Sequence, residues 1–369
     1  MNEKNKKVLV AMSGGVDSSV TAVLLKNQGY DVIGVHMQLW NGGGEEKLKG
    51  RCCSTVDAND ARKVCDQMDI PYYTVNAQDV FEDYVVNYFV HEYLQSRTPN
   101  PCAQCNNQIK FSYLFQKADE LGCHFVATGH YSRVIQDDGV YRLYKAMDQQ
   151  KDQSYFLFGC TQKALERTLM PLGAFTKSAV RELAEEFQLK VAQKPDSQEI
   201  CFIGAEGYQH FIEKKVPAEL RPPGLIQLAD GTPVGEHQGL YRYTIGQKKG
   251  LALKTKHHDQ YFVTGFDSQT QTLIVGPEKD LFRKHLIASH AHWIRPIPSP
   301  SMYCKARIRS QHKESRCQVT RLEGDCISVK FEEDQRAITE GQAIVFYEGD
   351  EVLGGAWIDR VEPQVAYAS

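Results

Sequence analysis

The residues best suited by type and spacing to covalent chemistry lie in two polar segments. One reads Thr98-Pro99-Asn100-Pro101-Cys102-Ala103-Gln104-Cys105-Asn106, and the other reads Pro195-Asp196-Ser197-Gln198-Glu199-Ile200-Cys201-Phe202. A thiol on a fixed, partly exposed loop can be activated as a thiolate, whereas a cysteine in an apolar helix usually only packs. Each proline biases its predecessor toward extended structure, so the first segment is expected to begin as a non-helical loop. Cys102, Cys105 and Cys201 are therefore the candidate reactive thiols, and Cys65, Cys123 and Cys160 read as structural. Cys52-Cys53, in a Gly/Lys-rich stretch, suits a flexible lid without assigned chemistry. Cys102-x-x-Cys105 alone admits a redox pair, half a metal site, or one catalytic thiol with an incidental neighbour. A zinc site needs further ligands at comparable spacing, and no second C-x-x-C exists.

A second chemistry-bearing motif is Ser13-Gly14-Gly15-Val16-Asp17-Ser18-Ser19, which follows an apolar run and opens a helical pattern. Two glycines let backbone N–H groups turn inward, and a helix start adds a positive dipole end, so the turn can cradle an anion. Asp17 is out of place in an anion site unless a cation bridges it to phosphate, so Mg²⁺ is expected. An ordinary capped turn is the bland reading, and Gly-Gly alone would favour it. The motif's place after the first strand of an α/β pattern shifts the balance to nucleotide binding. Neither G-x-x-x-x-G-K-[ST] nor G-x-G-x-x-G is present, so the phosphate-gripping lysine of switch NTPases is missing and a dinucleotide is disfavoured.

The elements that must position these groups alternate in the α/β manner. Strands are expected at Lys7–Met12, Asp31–Met37, Pro71–Asn76 and His124–Thr128. Helices are expected at Ser18–Gln28, Thr55–Met68, Asp79–Gln95 (Asp79 and Glu82 at its start), Ile109–Leu121 and Thr176–Leu189. That order predicts a doubly wound parallel sheet with its ligand at the carboxyl ends of the strands. Asp138-Gly139 between Tyr131–Val134 and Val140–Lys145 signals a hairpin. After Pro217–Pro223 the chain turns glycine-rich, and short alternating strands such as Cys304–Arg309, Cys326–Phe331 and Ala343–Tyr347 suggest a small antiparallel β-barrel. Boundaries fall near 210 and 280, giving a nucleotide-binding domain (1–210), a connecting domain (211–279) and a C-terminal barrel (280–369).

Composition limits the function classes. In 369 residues, 43 Lys+Arg against 46 Asp+Glu leave a formal charge of −3, with 42% hydrophobic residues. These values fit a soluble globular protein and exclude both a disordered chain and a polycation, although a local basic patch is still compatible. No apolar run is long enough for a membrane helix, and the start MNEKNKKVLVAM does not read as a signal peptide. Eleven cysteines, an odd number, fit reduced cytosolic thiols better than a disulfide framework.

The phosphate turn resembles the PP-loop of the ATP pyrophosphatase superfamily, whose members cleave ATP between the α- and β-phosphates and adenylate a substrate oxygen. The segments AMSGGVDSSV, GVHMQLW, TPNPCAQCNNQIKF, ATGHYSR, KDQSYFL, KPDSQEICFI, GEHQGLYRYTIGQKKGL and DEVLGGAWI together resemble the tRNA-specific 2-thiouridylase family over nearly the whole chain. The resemblance implies a cytoplasmic, monomeric enzyme that uses ATP and Mg²⁺ and takes sulfur from a persulfide-carrying donor protein. It implies nucleotide contacts from Ala11, Met12, Ser13, Gly14, Gly15, Val16, Asp17 and Ser18, with Met37 and Gly129 near the adenine. It implies that Cys201 carries sulfur as a persulfide and that Cys105 is the partner thiol, the pair ending as a disulfide. Asn100, Pro101 and Cys102 would contact the target base, and His130, Lys151, Asp152, Gln153 and Gln342 other parts of the tRNA. Many relatives have Asp where this chain has Cys102. Since a cysteine near its ordinary pKa of about 8.5 stays mostly protonated at neutral pH, the alternative is a three-thiolate iron–sulfur site at Cys102, Cys105 and Cys201.

A tRNA enzyme needs phosphate contacts. Between Lys305 and Arg321 six basic residues (305, 307, 309, 313, 316, 321) face one acid, Glu314. Lys305, Arg307 and Arg309 alternate, as residues on one strand face do, and Arg307, Ile308 and Arg309 are taken as RNA-contacting. Lys248, Lys249, Lys254 and Lys256 form a second cluster. Two rivals stand beside the thiolase reading. One is a PP-loop ligase passing ammonia to an adenylated carbonyl, which has no need of Cys105 and Cys201. The other is an RNA-binding protein with a vestigial nucleotide turn.

Overall fold

A computed structural model describes residues 6–40, 55–196, 200–254, 260–297 and 299–362. The leader before Lys6, the Cys52-Cys53 stretch, Ser197–Glu199 and Lys256 lie outside the described residues. The chain forms two compact units. The first comprises Met1–Val85, Cys102–Ile203 and Gly349–Leu353, and the second Val86–Pro101, Gly204–Glu348 and Gly354–Ser369.

In the first unit, β1 (Lys7–Ala11), β2 (Asp31–Gln38), β3 (Tyr72–Asn76) and β4 (Phe125–Ala127) are followed by a hairpin, β5 (Ser132–Asp137) and β6 (Val140–Lys145), and by the short β7 (Thr168–Leu169). The five-stranded sheet runs β3-β2-β1-β4-β7, and every neighbouring pair in it is parallel. The expected doubly wound sheet is thus present. Strand order reverses between β1 and β4, which opens a crevice at their carboxyl ends. The Val-Leu-Val centre of β1 is fully buried, as expected of a strand covered on both faces. Asp138 and Gly139 both take positive φ (49° and 76°), the backbone a two-residue hairpin turn requires.

Two helix expectations need correction. The stretch 78–94 is helical but passes through a π-helical turn at Glu82–Val86. Its start is closed by the Asn76 side chain accepting from Gln78 N at 3.0 Å, not by Asp79. The Thr98 segment becomes helical at Pro101, earlier than its two prolines suggested. Pro101–Cys105 forms a helix that continues through Asn106–Tyr113 and Leu114–Glu120. Proline at a first helical position loses no hydrogen bond, because that N–H has no partner in the helix, and its fixed φ suits the turn.

The second unit holds a four-stranded sheet and a closed barrel. In the sheet, β8 (Gly224–Leu228), β9 (Pro233–His237), β10 (Phe262–Asp267) and β11 (Thr272–Gly276) stand in the order β10-β11-β8-β9 around Ile226, Val263, Leu273 and Val275. The barrel uses β12 (Phe282–Trp293), β13 (Ser301–Arg307), β14 (Ser315–Arg321), β15 (Ile327–Arg336), β16 (Ala343–Glu348) and β17 (Glu351–Val361). Their order is β12-β15-β14-β13-β16-β17, and β12 pairs again with β17, so no edge is left open. No helix among the described residues is long and apolar enough to cross a membrane.

Candidate active site

The chain leaves β1 at Ala11, turns through Met12–Gly15 and enters the helix Val16–Asn27. Gly14 has φ +76°, and a Cβ there would lie 2.2 Å from the Asp57 carbonyl oxygen, so only glycine fits. Across the crevice, a Cβ on Gly129 would fall 2.9 Å from Ser18 N, so the backbone after β4 presses against the start of that helix. Inside the turn Ser18 Oγ accepts from Ser13 N at 3.2 Å and donates to Gly15 O at 3.2 Å. Here the fold opens a cleft of about 440 Å³. Ala11, Met12, Ser13, Gly15, Val16, Asp17 and Ser18 line it, as do Met37 and Gly129 from the ends of β2 and β4.

Asp17 has a lysine as its partner. Lys177 Nζ lies 2.8 Å from both carboxylate oxygens of Asp17. Tyr131 donates its hydroxyl to Asp17 Oδ1 at 2.8 Å. Burial and the neighbouring Asp17 charge push the Tyr131 phenol well up, so it stays a donor. Lys177 also meets Asp196 at 2.8 Å, and that carboxylate takes Lys151 at 2.8 Å and Arg181 at 3.1 Å. Burial by itself would raise the Asp196 carboxyl, but hydrogen bonds from Lys151 and Lys177 pull it down to about 2. Lys194 ties the segment to the phosphate turn, donating to Gly14 O at 2.9 Å and meeting Asp57 at 2.6 Å and Asp60 at 2.9 Å. Lys151, Lys177 and Lys194 on the cleft wall are therefore each held by a carboxylate.

His130 sits on the cleft wall, buried. A lysine ammonium can only donate, so the contact between Lys110 Nζ and His130 Nε2 at 3.2 Å makes Nε2 the acceptor. Nδ1–H then donates to Thr128 Oγ1 at 2.8 Å. Burial, reinforced by the Lys110 charge, holds His130 neutral, well below the ordinary histidine value. Lys110 lies five residues after Cys105, in the π-helical stretch Asn106–Tyr113 that continues the Cys105 helix.

The thiols differ in exposure. Cys102 is exposed, Cys105 is 9% exposed and Cys201 is half-buried. Phe202, beside Cys201, packs against Phe81 and Trp40 with ring centroids 5.6 and 6.4 Å away. Among the described residues no three His, Cys, Asp or Glu side chains gather as a metal-binding group. Cys102, Cys105 and Cys201 therefore form no three-thiolate ligand set in this structure.

The residues expected at RNA are found in varied settings. Lys151 and Gln153 line the cleft. Asp152 caps a turn, accepting from Ala146 N at 3.1 Å and from Ser154 N at 3.2 Å. In the second unit Gln342 donates to Thr98 O at 3.1 Å and Pro99 O at 3.0 Å, which fixes the approach to the buried Asn100 and Pro101. Strand β13 ends at Arg307, so Arg309 does not continue its face as expected. Arg307 pairs with Glu314 at 2.8 Å and lies 4.9 Å over the Tyr347 ring, Arg309 donates to Arg336 O at 3.4 Å, and the Ile308 side chain is only 2% exposed. Lys305, Lys313, Arg316 and Arg321 are exposed on this hairpin, and Lys305 and Arg316 stand directly opposite each other.

Lys110, Tyr131, Lys177, Lys194, Asp57 and Asp196 were not singled out from the sequence. One signal was available for Lys177. It follows the cap Thr176 at the first position of its helix, where a positive charge opposes the helix dipole and calls for an anionic partner.

Three family models cover the chain. Residues 6–205 match the tRNA methyl transferase HUP domain, 209–277 the tRNA methyl transferase PRC-barrel domain, and 283–358 the aminomethyltransferase β-barrel domain. The tRNA-specific 2-thiouridylase MnmA of Geotalea uraniireducens (strain Rf4) is 46% identical over 97% of this chain and 96% of its own length. That of Carboxydothermus hydrogenoformans is 47% identical over 96% of this chain and 98% of its own. The chain belongs to the tRNA-specific 2-thiouridylase family. Among solved structures, the U34-tRNA thiolase NcsA from Methanococcus maripaludis with its [4Fe-4S] cluster aligns at TM-score 0.35 and 24% identity, over 57% of this chain and 66% of its own. As a 2-thiouridylase family member, the chain places its phosphate turn and its Lys110, Lys177 and Lys194 in one cleft.

Proposed function

We propose that this protein is an ATP-dependent tRNA sulfurtransferase that replaces a carbonyl oxygen of the wobble uridine with sulfur. The observation that carries the reading is the cleft itself. A glycine turn at the strand-order reversal shares a cleft with four lysines, Lys110, Lys151, Lys177 and Lys194, and helical and loop segments leading to Cys105 and Cys201 depart from its rim. The carbonyl oxygen is a poor leaving group, and transfer of AMP to it from ATP, with release of pyrophosphate, turns it into a good one. Backbone N–H groups of Ser13–Ser18 bind the pyrophosphate portion, and Lys177 exchanges Asp17 and Asp196 for phosphate oxygens as charge moves onto the leaving group. Mg²⁺ is held mostly by phosphates and water in such sites, with few protein carboxylates. Asp17 would share such an ion with the phosphates once Lys177 turns to them.

Sulfur arrives on Cys201 as a persulfide from a donor protein. Its terminal sulfur attacks the adenylated ring carbon, and AMP leaves with the former carbonyl oxygen. The Cys105 thiolate then attacks Cys201 Sγ, breaking the S–S bond, so sulfur stays on the base and a Cys105–Cys201 disulfide remains. Asn100, Pro101 and Cys102 line the pocket of the extruded base, and Lys151, His130 and Gln342 serve the tRNA directly or by positioning. Segments 1–210, 211–279 and 280–369 divide the work into ATP chemistry, connection and barrel contacts, in a cytosolic monomer.

Mass spectrometry of nucleosides from unmodified tRNA, incubated with the enzyme, ATP and a persulfide or sulfide source, tests the reading. Appearance of 2-thiouridine is expected, and ammonia-dependent product or no ATP consumption would favour one of the rivals. Cys105→Ala and Cys201→Ala are each expected to abolish thiolation while tRNA-dependent pyrophosphate release persists. Thiolation surviving both changes removes the two-thiol mechanism.

A further inference from the structure

Outside the cleft, two cysteines stand side by side in the barrel. Cys304 on β13 and Cys317 on β14 are direct cross-strand partners. Both fall on the face that also points Ala306 and Val319 into the barrel interior. Their sulfurs are 3.8 Å apart, with Cys317 buried and Cys304 partly exposed. Opposite residues of an antiparallel pair have Cα atoms about 4.5–5.5 Å apart, within the roughly 4.4–6.8 Å that a disulfide spans. Rotation of the two side chains therefore suffices to bring the sulfurs into bonding distance, and the ladder need not move.

We propose that Cys304 and Cys317 form a reversible dithiol–disulfide site within the barrel, with a low-molecular-weight disulfide as the oxidant. The entry thiol is Cys304, which solvent reaches. Its thiolate attacks the external disulfide and expels one thiol, leaving a mixed disulfide. Cys317 then attacks Cys304 Sγ and expels the second thiol. In sum, two protein thiols and one small disulfide become one protein disulfide and two small thiols. Two electrons pass to the small molecule, and the two thiol protons pass to the departing thiolates. Hydrogen bonding with Cys304 together with burial keeps the Cys317 thiol protonated, which suits a resolving role and leaves the first attack to Cys304. Closing the pair would clamp the hairpin that presents Lys305 and Arg316 on its outer face.

The test uses the full-length protein, incubated with oxidised glutathione, alkylated, and digested with trypsin without reduction. Cleavage at Lys305 and Arg316 separates the two cysteines, so a peptide ending at Lys305 joined to Cys317–Arg321 reports the bond directly. That linked species is expected in the wild type, absent in Cys304→Ser and split by dithiothreitol. Melting of the oxidised wild type is expected a few degrees above the reduced form, since a cross-link restricts the unfolded chain. Glutathione persisting on Cys304 without the linked peptide overturns the proposal. So does full alkylation of both thiols after oxidation, and because these readouts use the wild type they hold even if a variant folds poorly.

Discussion

Lys177 and Asp17 stand 160 positions apart in the chain, yet the lysine ammonium lies 2.8 Å from each carboxylate oxygen. The phosphate turn lacks a lysine of its own, and the fold supplies one from the first turn of a distant helix. The same ammonium reaches Asp196 at 2.8 Å, five positions before Cys201, so one side chain links the Ser13–Ser18 turn to the segment leading to Cys201.

Replacing Lys177 by Met is expected to lower ATP-dependent pyrophosphate release by about 10²–10³-fold, the usual cost of losing a donor to developing charge. Lys177→Arg, which keeps the charge, is expected to recover part of it. Rates within threefold of wild type for the Met variant would show that Lys177 only fills space beside Asp17.

Gly14→Ala tests the turn itself. A Cβ would sit 2.2 Å from the Asp57 carbonyl oxygen and force a residue at φ +76°. Loss of about 2 kcal/mol of stability or more is expected, with ATP affinity falling more than tenfold by titration calorimetry. Wild-type affinity in Gly14→Ala would mean that the turn does not hold the phosphates.

The ion network makes a prediction about acid stability. The folded Asp196 carboxyl is held at about 2, below the ordinary value near 4. Its contribution is therefore fully present above about pH 4 and disappears as pH falls toward 2. Asp196→Asn, which leaves Lys151, Lys177 and Arg181 facing a neutral amide, is expected to melt lower than wild type at pH 7. The gap should close by pH 2. A gap that is the same at both pH values would exclude Asp196 ionisation as its source.

Lys305 and Arg316 face each other across β13 and β14 as an exposed like-charge pair, an arrangement that costs stability until an anion lies over it. Lys305→Glu with Arg316→Glu is expected to weaken tRNA binding at least tenfold and to flatten its salt dependence by about two phosphate contacts. ATP binding should be unchanged. These residues are a sharper test than Arg307, whose charge is already met by Glu314 at 2.8 Å. Equal tRNA affinity and salt slope would place the nucleic acid elsewhere.

Much of the site was legible in the chain because its signals are local. Ser13–Ser19 announces an anion turn through adjacent glycines and hydroxyls, and Asp138-Gly139 announces a hairpin, since both depend on the φ values of neighbouring residues. The parallel sheet followed from strand and helix periodicity, which is likewise a short-range property. The start of the Pro101–Cys105 helix was harder to read, because proline disfavours helix before it and favours helix from it, and only packing resolves that conflict. The settings of the arginines at the end of β13 were equally illegible. Arg307 turns to Glu314 and Tyr347, and nothing in the alternation of charges encodes those partners.

By itself the sequence determined that a strand would deliver a glycine turn to a helix start, and that thiols would sit in two polar segments well apart in the chain. Only the tertiary structure decided which charges share the cleft. Lys177 and Lys194 are ordinary basic residues until the sheet order brings their segments beside β1. Coulomb attraction and hydrogen bonding act over a few ångströms of space, and chain distance has no bearing on them. The lysine that answers Asp17 was therefore fixed by topology, at the place where strand order reverses.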